Sequence, residues 1–193
     1  YDPIVMRDEL LALSAEHGRV PGEGTRGTCP VDSHFNVRGG GTVVLGSVAD
    51  GYFRKHDKMT VFPLKREVVL KSIQKHDNDA DDAVKGDHVG LALRGIESGE
   101  LDRGYVLTTD PEVTMSKRIA GKINLVKYWK NPLKDGNVMH LGHWMQMVPC
   151  RVSAEGDGFV FETETELIYR PGDRAVLMYL EGGKLRVAGT VSL

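Results

Sequence analysis

Two histidines three positions apart, His140 and His143, have side chains of a type that binds metal ions. On a helix both rings would face the same way and could hold one metal ion. The residues around them read instead as a strand, in which positions three apart point to opposite faces. The sequence therefore favours structural histidines and predicts no metal site here.

A second group with possible metal chemistry is the acidic run Asp77, Asp79, Asp81 and Asp82. Its alternation is partly that of a calcium-binding loop. It lacks the glycine and the closing glutamate that such a loop requires. We predict a solvated turn from Asp77 to Asp82.

The two cysteines, Cys29 and Cys150, lie far apart in the sequence. Neither has a neighbouring residue that would activate a thiolate nucleophile. We expect both to be reduced and buried in the protein interior.

No segment has the pattern of a nucleotide-phosphate loop, which is G-x-x-x-x-G-K-[ST] at the start of a helix. Gly121-Lys122 is followed by Ile123, and Gly183-Lys184 is followed by Leu185. The glycines Gly39–Gly41 lead into a strand, which lacks the free amides and dipole of a helix N-terminus. An Asn-Lys-x-Asp motif for guanine is also absent. The sequence predicts no catalytic residue and no cofactor site in this chain.

The stretch Pro30–Gly46 predicts a strand, a glycine turn and a second strand. From Val31 to Arg38, polar and less polar residues alternate with period two, which is typical of a strand with one wet and one dry face. The glycines supply the positive φ that a hairpin tip needs. The β-branched run that starts at Thr42 favours a second strand.

Short strand-like segments separated by turn residues continue along the chain, which favours closed β structure. Six precede Asp110-Pro111: Thr28–Val37, Gly41–Ala49, Lys58–Pro63, Val68–His76, Asp87–Leu93 and Gly104–Leu107. Five follow it: Lys117–Trp129, Asn137–Val152, Phe159–Tyr169, Ala175–Leu180 and Leu185–Val191. The predicted fold class is all-β, with two consecutive β-barrels over residues 27–110 and 111–193.

Residues 1–26 precede the barrels and predict a short helix and a linker. Asp2–His17 has apolar residues at roughly helical spacing, and Gly18 is a plausible C-cap. Arg19–Arg26 is rich in proline and glycine, which is typical of a linker. Because the chain begins with Tyr1 instead of Met, we expect it to be part of a longer protein.

The composition is that of an ordinary globular protein, with 40% hydrophobic and 27% charged residues and a formal net charge of −2. Such a charge gives no strong overall field for nucleic acid. Basic residues do cluster between Asp50 and Lys75, either as an RNA-contacting patch or as lysines that protect sheet edges. No apolar run is long enough to span a bilayer. We expect a cytoplasmic protein that does not bind membranes.

The order Pro-Val-Asp-x-x-Phe-x-Val-x-Gly-x-Gly-Thr-Val-Val-x-Gly, from Pro30 to Gly46, resembles the start of the second domain of elongation factor Tu and other translational GTPases. The resemblance continues through Gly86–Ile96 and Asp102–Leu107, while Leu185–Val191 resembles the last strand of the third domain. The segment Val68–His76 is similar to archaeal selenocysteine-specific elongation factors.

The resemblance implies that the chain binds aminoacyl-tRNA or another RNA, or docks on the ribosome or a GTPase domain. GTP and magnesium would then belong to a GTPase domain upstream of this chain. The resemblance implies that residues of the second domain bind the aminoacylated end of tRNA. The matching residues here are Asp32, Ser33, His34, Phe35, His88, Val89 and Ala92. Arg94 also matches, and a structural role is equally possible for it.

Two further positions of that surface, Gln74 and Asp77, differ from elongation factor Tu, which has a glutamate and an arginine there by an ungapped count from Gly90. Gln74 keeps a hydrogen-bond acceptor without the charge, whereas Asp77 reverses the sign and should repel a phosphate. Phe35 could stack on a terminal adenine or pack inside the barrel. The alternative hypothesis is a divergent scaffold that acts as a protein-protein interaction module.

Overall fold

Fifteen strands, one α-helix and one short 3-10 helix form the part of the chain that the computed structural model describes, namely residues 2–16, 26–156, 158–181, 183 and 185–193. The helices are α1 (Pro3–Glu16) and a 3-10 turn at Ser98–Glu100. The first nine strands are β1 (Thr28–Val37), β2 (Gly41–Ser47), β3 (Tyr52–Arg54), β4 (Lys58–Phe62), β5 (Arg66–Lys75), β6 (Asn78–Ala80), β7 (Asp82–Val84), β8 (His88–Arg94) and β9 (Val106–Thr108). The remaining six are β10 (Thr114–Leu125), β11 (Asn137–His143), β12 (Gln146–Glu155), β13 (Gly158–Tyr169), β14 (Arg174–Met178) and β15 (Val187–Ser192).

The first barrel closes through six antiparallel strands in the order β4-β9-β1-β2-β8-β5, because β5 also pairs with β4. Strand β6 extends the sheet beyond β5, and β3 and β7 form a separate two-stranded ribbon. The second barrel closes in the order β10-β13-β12-β11-β14-β15. The prediction of two consecutive β-barrels is therefore confirmed.

The prediction of a turn over the acidic run Asp77–Asp82 is wrong for most of its length. Only His76 and Asp77 form the turn between the paired residues Lys75 and Asn78. Both have positive φ, 48° and 64°, as a tight two-residue hairpin loop requires. The next residues form β6 and the start of β7, because ladder pairing with neighbouring strands overrides their low strand propensity.

The prediction of a single strand over Asn137–Val152 is also wrong. This segment forms two strands, β11 and β12, which pair with each other from Asn137↔Val152 to His143↔Gln146. The turn between them is Trp144-Met145, and Trp144 has φ +50°. A bulky residue rarely adopts this conformation, and the usual turn residues are missing, so the sequence carries no turn signal.

A β-bulge in β1 changes which residues face the interior. Val31 pairs with Gly46, but Ser33 pairs with Leu45, so β1 contains one more residue than β2 across this interval. Val31 is fully buried, whereas Ser33, Phe35 and Val37 are exposed. The single dry face predicted for this strand is therefore wrong, because an extra residue exchanges the two faces.

Each barrel has its own buried apolar core. Cys29 lies in the first core with large side chains such as Phe53 and Leu70, and Cys150 lies in the second with residues such as Phe161 and Leu177. Burial raises the pKa of each thiol to about 12. The prediction of two buried, unpaired cysteines is confirmed.

The two barrels also pack against each other. A small cluster combines Val106 of the first barrel with Ile168 of the second and with the half-buried ring of Trp144. Beside it, Arg170 Nη1 of the second barrel lies 2.5 Å from Asp50 Oδ2 of the first. The barrels are therefore joined by both apolar packing and an ion pair.

The helix α1 agrees with the predicted helix over Asp2–His17 in position. Pro3 occupies the first turn, and Asp2 Oδ1 accepts a hydrogen bond from the Ile4 amide at 2.9 Å. Its apolar side chains are exposed and do not form one buried stripe. Gly18 and the linker residues 19–25 lie outside the described residues. Among the residues that are described, no helix is long and apolar enough to cross a membrane.

Candidate binding surface

The outer face of the first barrel carries an apolar platform on strands β1, β2 and β8. Phe35 pairs with Val43, and Val43 pairs with Ala92, so these three side chains lie side by side on one face. Phe35 is 43% exposed, Val37 42% and Leu45 42%. The β1 bulge turns Phe35 and Val37 outward, which leaves an aromatic ring on the surface of a rigid sheet.

A groove of about 360 Å³ lies next to this platform. The β5–β6 turn forms one side, and the ends of β2 and β8 form the other. The residues that line it are Asp32, Leu45, Gly46, Ser47, Gln74, His76, Asp77, His88, Val89, Gly90 and Met145. Leu45 belongs to both the platform and the groove, so the two features form one continuous surface.

The groove contains hydrogen-bonding groups and two acidic side chains. Asp32 Oδ1 lies 3.1 Å from Arg103 Nη2, so its charge is balanced within the protein. Asp77 is exposed at the tip of the β5–β6 turn. His88 Nδ1 lies 2.8 Å from Ser47 Oγ. The wall therefore presents an imidazole, a hydroxyl and a carboxylate close to exposed apolar side chains.

Five of the ten residues predicted for the site line the groove: Asp32, Gln74, Asp77, His88 and Val89. Gln74 Nε2 donates a hydrogen bond to Asp79 Oδ1 at 3.3 Å, which holds the amide at the groove edge. Val89 is only 4% exposed and its side chain packs in the core, so at most its backbone borders the groove.

The other five predicted residues lie outside the groove. Ser33, Phe35 and Ala92 lie on the outer face, with Phe35 and Ala92 in the platform. Arg94, at the end of β8, is exposed. His34 pairs with the buried Val44, and its Nδ1 lies 3.0 Å from Ser98 Oγ. His34 therefore points away from the platform, because adjacent strand residues face opposite sides.

The cluster of basic residues between Asp50 and Lys75 does not form a free patch. At least four of its seven side chains are in ion pairs: Lys55 with Asp81, Lys58 with Glu67, Arg66 with Glu100, and Lys75 with Asp82 and Asp87. This neutralises much of the field that RNA phosphates would meet. The ion pairs therefore weaken the case for an RNA-contacting patch. The alternative of sheet-edge protection gains no support, because β4 and β5 pair on both sides in the closed barrel.

The groups with possible metal chemistry do not converge. Met139, Leu141 and His143 face the core of the second barrel, while His140 points to its other face. Within the residues that the structure describes, no group of three histidine, cysteine or acidic side chains could hold a metal ion.

His143 has a structural environment instead. Its Nε2 lies 3.2 Å from Asp173 Oδ2, and its ring packs at a tilt against the ring of Trp144. Burial lowers the pKa of His143, and the neighbouring Asp173 carboxylate only partly opposes this effect.

Sequence reasoning missed six of the eleven residues that line the groove, namely Leu45, Gly46, Ser47, His76, Gly90 and Met145. Leu45 and Ser47 follow the glycine turn at alternate positions, so strand periodicity could have placed them on one face of β2, the face that bears Val43. Met145 lies in the other barrel, and no local pattern relates it to the groove. Only the packing of the two barrels brings it there.

Comparison with known proteins gives a family for part of the chain. Residues 41–108 match the family model described as elongation factor Tu domain 2. This segment runs from the start of β2 to the end of β9 and therefore includes most of the groove. The resemblance stated from the sequence is confirmed for the first barrel.

Two curated relatives extend the similarity. An uncharacterized protein of Methanocaldococcus jannaschii is 36% identical over 166 residues, which cover 85% of this chain and 53% of that protein. The selenocysteine-specific elongation factor of the same organism is 32% identical over 124 residues, or 64% of this chain and 26% of that factor. The chain thus spans about half of the first relative and about a quarter of the second.

Among solved structures, translation elongation factor SelB from Methanococcus maripaludis superposes with a TM-score of 0.83. The superposition covers 97% of this chain and 47% of SelB, at 24% identity. It shows that the fold of both barrels is shared. Together with the matching family model, the comparisons support a translation-factor module.

Proposed function

We propose that this chain, whose residues 41–108 belong to the elongation factor Tu domain 2 family, is the part of a translation factor that holds the aminoacylated 3′ end of a tRNA. The selenocysteine-specific factor among its homologues supports a role in translation. The chain spans only part of these relatives. Binding of GTP and magnesium, and GTPase activity, are therefore proposed only for a longer parent protein. A cytoplasmic location follows from the same proposal.

The observation that carries the proposal is the exposed ring of Phe35. An aromatic ring on a rigid sheet can stack on a nucleobase, and such stacking contributes about 1–3 kcal/mol per base. Val37 and Leu45, exposed at 42% each, widen the platform around the ring. The base at the 3′ end of every tRNA is an adenine, and it is unpaired. The platform fits a single base of this kind.

The groove next to the platform would receive the groups attached to the terminal ribose. Gln74, Ser47 and His88 offer donors and acceptors for hydroxyl and ester oxygens. Asp77 repels phosphate, so the phosphodiester backbone would leave on the side away from the β5–β6 turn. The site therefore favours a neutral or cationic group in the groove.

The test is the affinity of the chain for one tRNA transcript, with and without an attached amino acid, in a salt titration. We expect Phe35→Ala to weaken binding of the charged tRNA about tenfold, which lies within the range for loss of one stacked base. Val138→Ala is the matched control, since Val138 is 52% exposed on the second barrel and lies outside the surface. Absence of binding at every salt concentration, or equal loss in both variants, would contradict the proposal.

A second candidate function is a protein-protein interaction module. It is favoured by the ion pairing of the basic residues and by Asp77, which both weaken attraction for RNA. In this case the apolar platform would contact a protein domain or the ribosome. Binding of purified ribosomes that is lost with Phe35→Ala, without any tRNA affinity, would support this alternative.

A further inference from the structure

The groove on the first barrel is completed by one residue of the second barrel. Ten of the eleven residues that line it lie between Asp32 and Gly90, and the other is Met145. Met145 lies in the β11–β12 turn and is 37% exposed. Its side chain therefore meets both solvent and the groove.

The contacts on either side of Met145 hold it in place. Trp144 packs in the cluster between the barrels with Val106 and Ile168. Gln146 binds the backbone of Ile168 twice, donating from Nε2 to its carbonyl at 2.7 Å and accepting its amide at Oε1 at 2.8 Å. The β11–β12 turn is thus anchored at both ends.

The first barrel also contacts this turn directly. A Cβ atom on Gly104, which has φ +91°, would lie 3.3 Å from the Met145 carbonyl oxygen, so the two backbones approach closely. Arg103 Nη2 lies 3.8 Å from Met145 Sδ and 3.1 Å from Asp32 Oδ1. Arg103 of the first barrel therefore contacts both Met145 of the second barrel and the Asp32 carboxylate of the first.

We infer that Met145 is a specificity-determining residue of the groove and favours an apolar aminoacyl group there over an acidic one. A thioether side chain is unbranched and polarisable, so it adapts to apolar groups of different shapes. Leu45 supplies a second apolar wall within the same groove. Asp77 adds repulsion toward a carboxylate. This inference rests on the proposed function, since it assumes that the aminoacyl end occupies the groove.

The experiment uses the 193-residue chain and a single tRNA transcript charged either with leucine or with glutamate. The chain without substitutions should bind the leucyl-tRNA more tightly than the glutamyl-tRNA. Met145→Ala should weaken the leucyl complex about fourfold or more, which is the effect of losing contact with one buried methylene group. The glutamyl complex should change little, so the ratio of the two dissociation constants should fall. Met145→Leu should restore the ratio.

Met147→Ala is the matched control, because Met147 lies two positions away, is 56% exposed and does not line the groove. It should leave the ratio unchanged. If Met145→Ala leaves the ratio unchanged, or weakens both complexes equally, the inference is wrong while the proposed function stands. If the unvaried chain binds neither charged tRNA, the proposed function is wrong, and the inference falls with it.

Discussion

Val31 and Ser33 lie on opposite sides of the first barrel wall, although they are two positions apart in the same strand. Val31 is fully buried and pairs with Gly46, whereas Ser33 is exposed and pairs with Leu45. The extra residue between them, Asp32, produces the bulge. This shift turns Phe35 outward and creates the apolar platform on which the proposed function depends.

The bulge requires a glycine on the partner strand. A Cβ atom on Gly46 would lie 2.8 Å from Cys29 Sγ and closer still to the Pro30 carbonyl oxygen. We therefore expect Gly46→Ala to lower the free energy of unfolding by about 2 kcal/mol, as measured by urea denaturation. Gly99→Ala is the control, since a Cβ atom there would meet no atom within 4 Å beyond its own chain neighbours. Equal stability of the two variants would show that the bulge tolerates a side chain.

Reversing the charge at Asp77 should strengthen tRNA binding. Asp77 is exposed at the tip of the β5–β6 turn and lines the groove. Asp77→Arg replaces repulsion of phosphate by attraction, so we expect a severalfold lower dissociation constant at low salt and a steeper salt dependence. Glu164→Arg, on the second barrel and outside the groove, makes the same change in net charge. An equal gain in both variants would indicate a non-specific field, and no gain would favour the scaffold alternative.

The stability of the second barrel should fall as the pH is lowered below about 6.5, the ordinary pKa of histidine. Burial lowers the pKa of His143 in the folded protein, so the unfolded chain binds a proton at a higher pH than the folded chain does. By linkage, stability is complete above the unfolded pKa and is lost as the pH falls toward the folded pKa. In the His143→Gln variant, the thermal unfolding temperature should change less between pH 7 and pH 5 than in the original chain. His56→Asn, at an exposed position, should not have this effect. The prediction is wrong if the unfolding temperature depends on pH in the same way in the original chain and in both variants.

Arg170 should contribute to the attachment of the two barrels. It lies 2.5 Å from Asp50 Oδ2, 3.7 Å from the buried Asp110 and 3.3 Å from Asp173. Because the guanidinium is about one-third exposed, we expect Arg170→Met to cost only about 1–2 kcal/mol of unfolding free energy. A double-mutant cycle with Asp50→Asn would measure the interaction energy between these two side chains across the barrels. A coupling energy near zero would show that this ion pair does not help to join the barrels.

Both cysteines should resist alkylation in the folded protein. Burial raises the pKa of Cys29 and of Cys150 to about 12, so very little thiolate forms at pH 8. We expect iodoacetamide to modify them slowly until urea unfolds the chain, as followed by mass spectrometry. Rapid modification of one cysteine under native conditions would identify a barrel that opens locally.

Several features could be predicted from the sequence because they depend on local chemistry. Period-two alternation and glycine turns identified β1 and β2. The spacing of residues from Pro30 to Gly46 gave the resemblance to the second domain of elongation factor Tu, and the model of that family matches residues 41–108. In each case a few neighbouring residues carry the information, because backbone geometry and side-chain alternation act over short distances.

Other features depended on contacts between distant residues. The bulge at Asp32 depends on pairing with β2, the turn at Trp144 depends on packing between the barrels, and the basic residues near Lys55 are neutralised by acids elsewhere in the chain. None of these leaves a local pattern. The sequence alone determined two β-barrels and the strand that bears Phe35. Tertiary structure decided that Phe35 faces outward and that Met145 completes the groove, because closure of the barrels and their mutual packing set which faces meet.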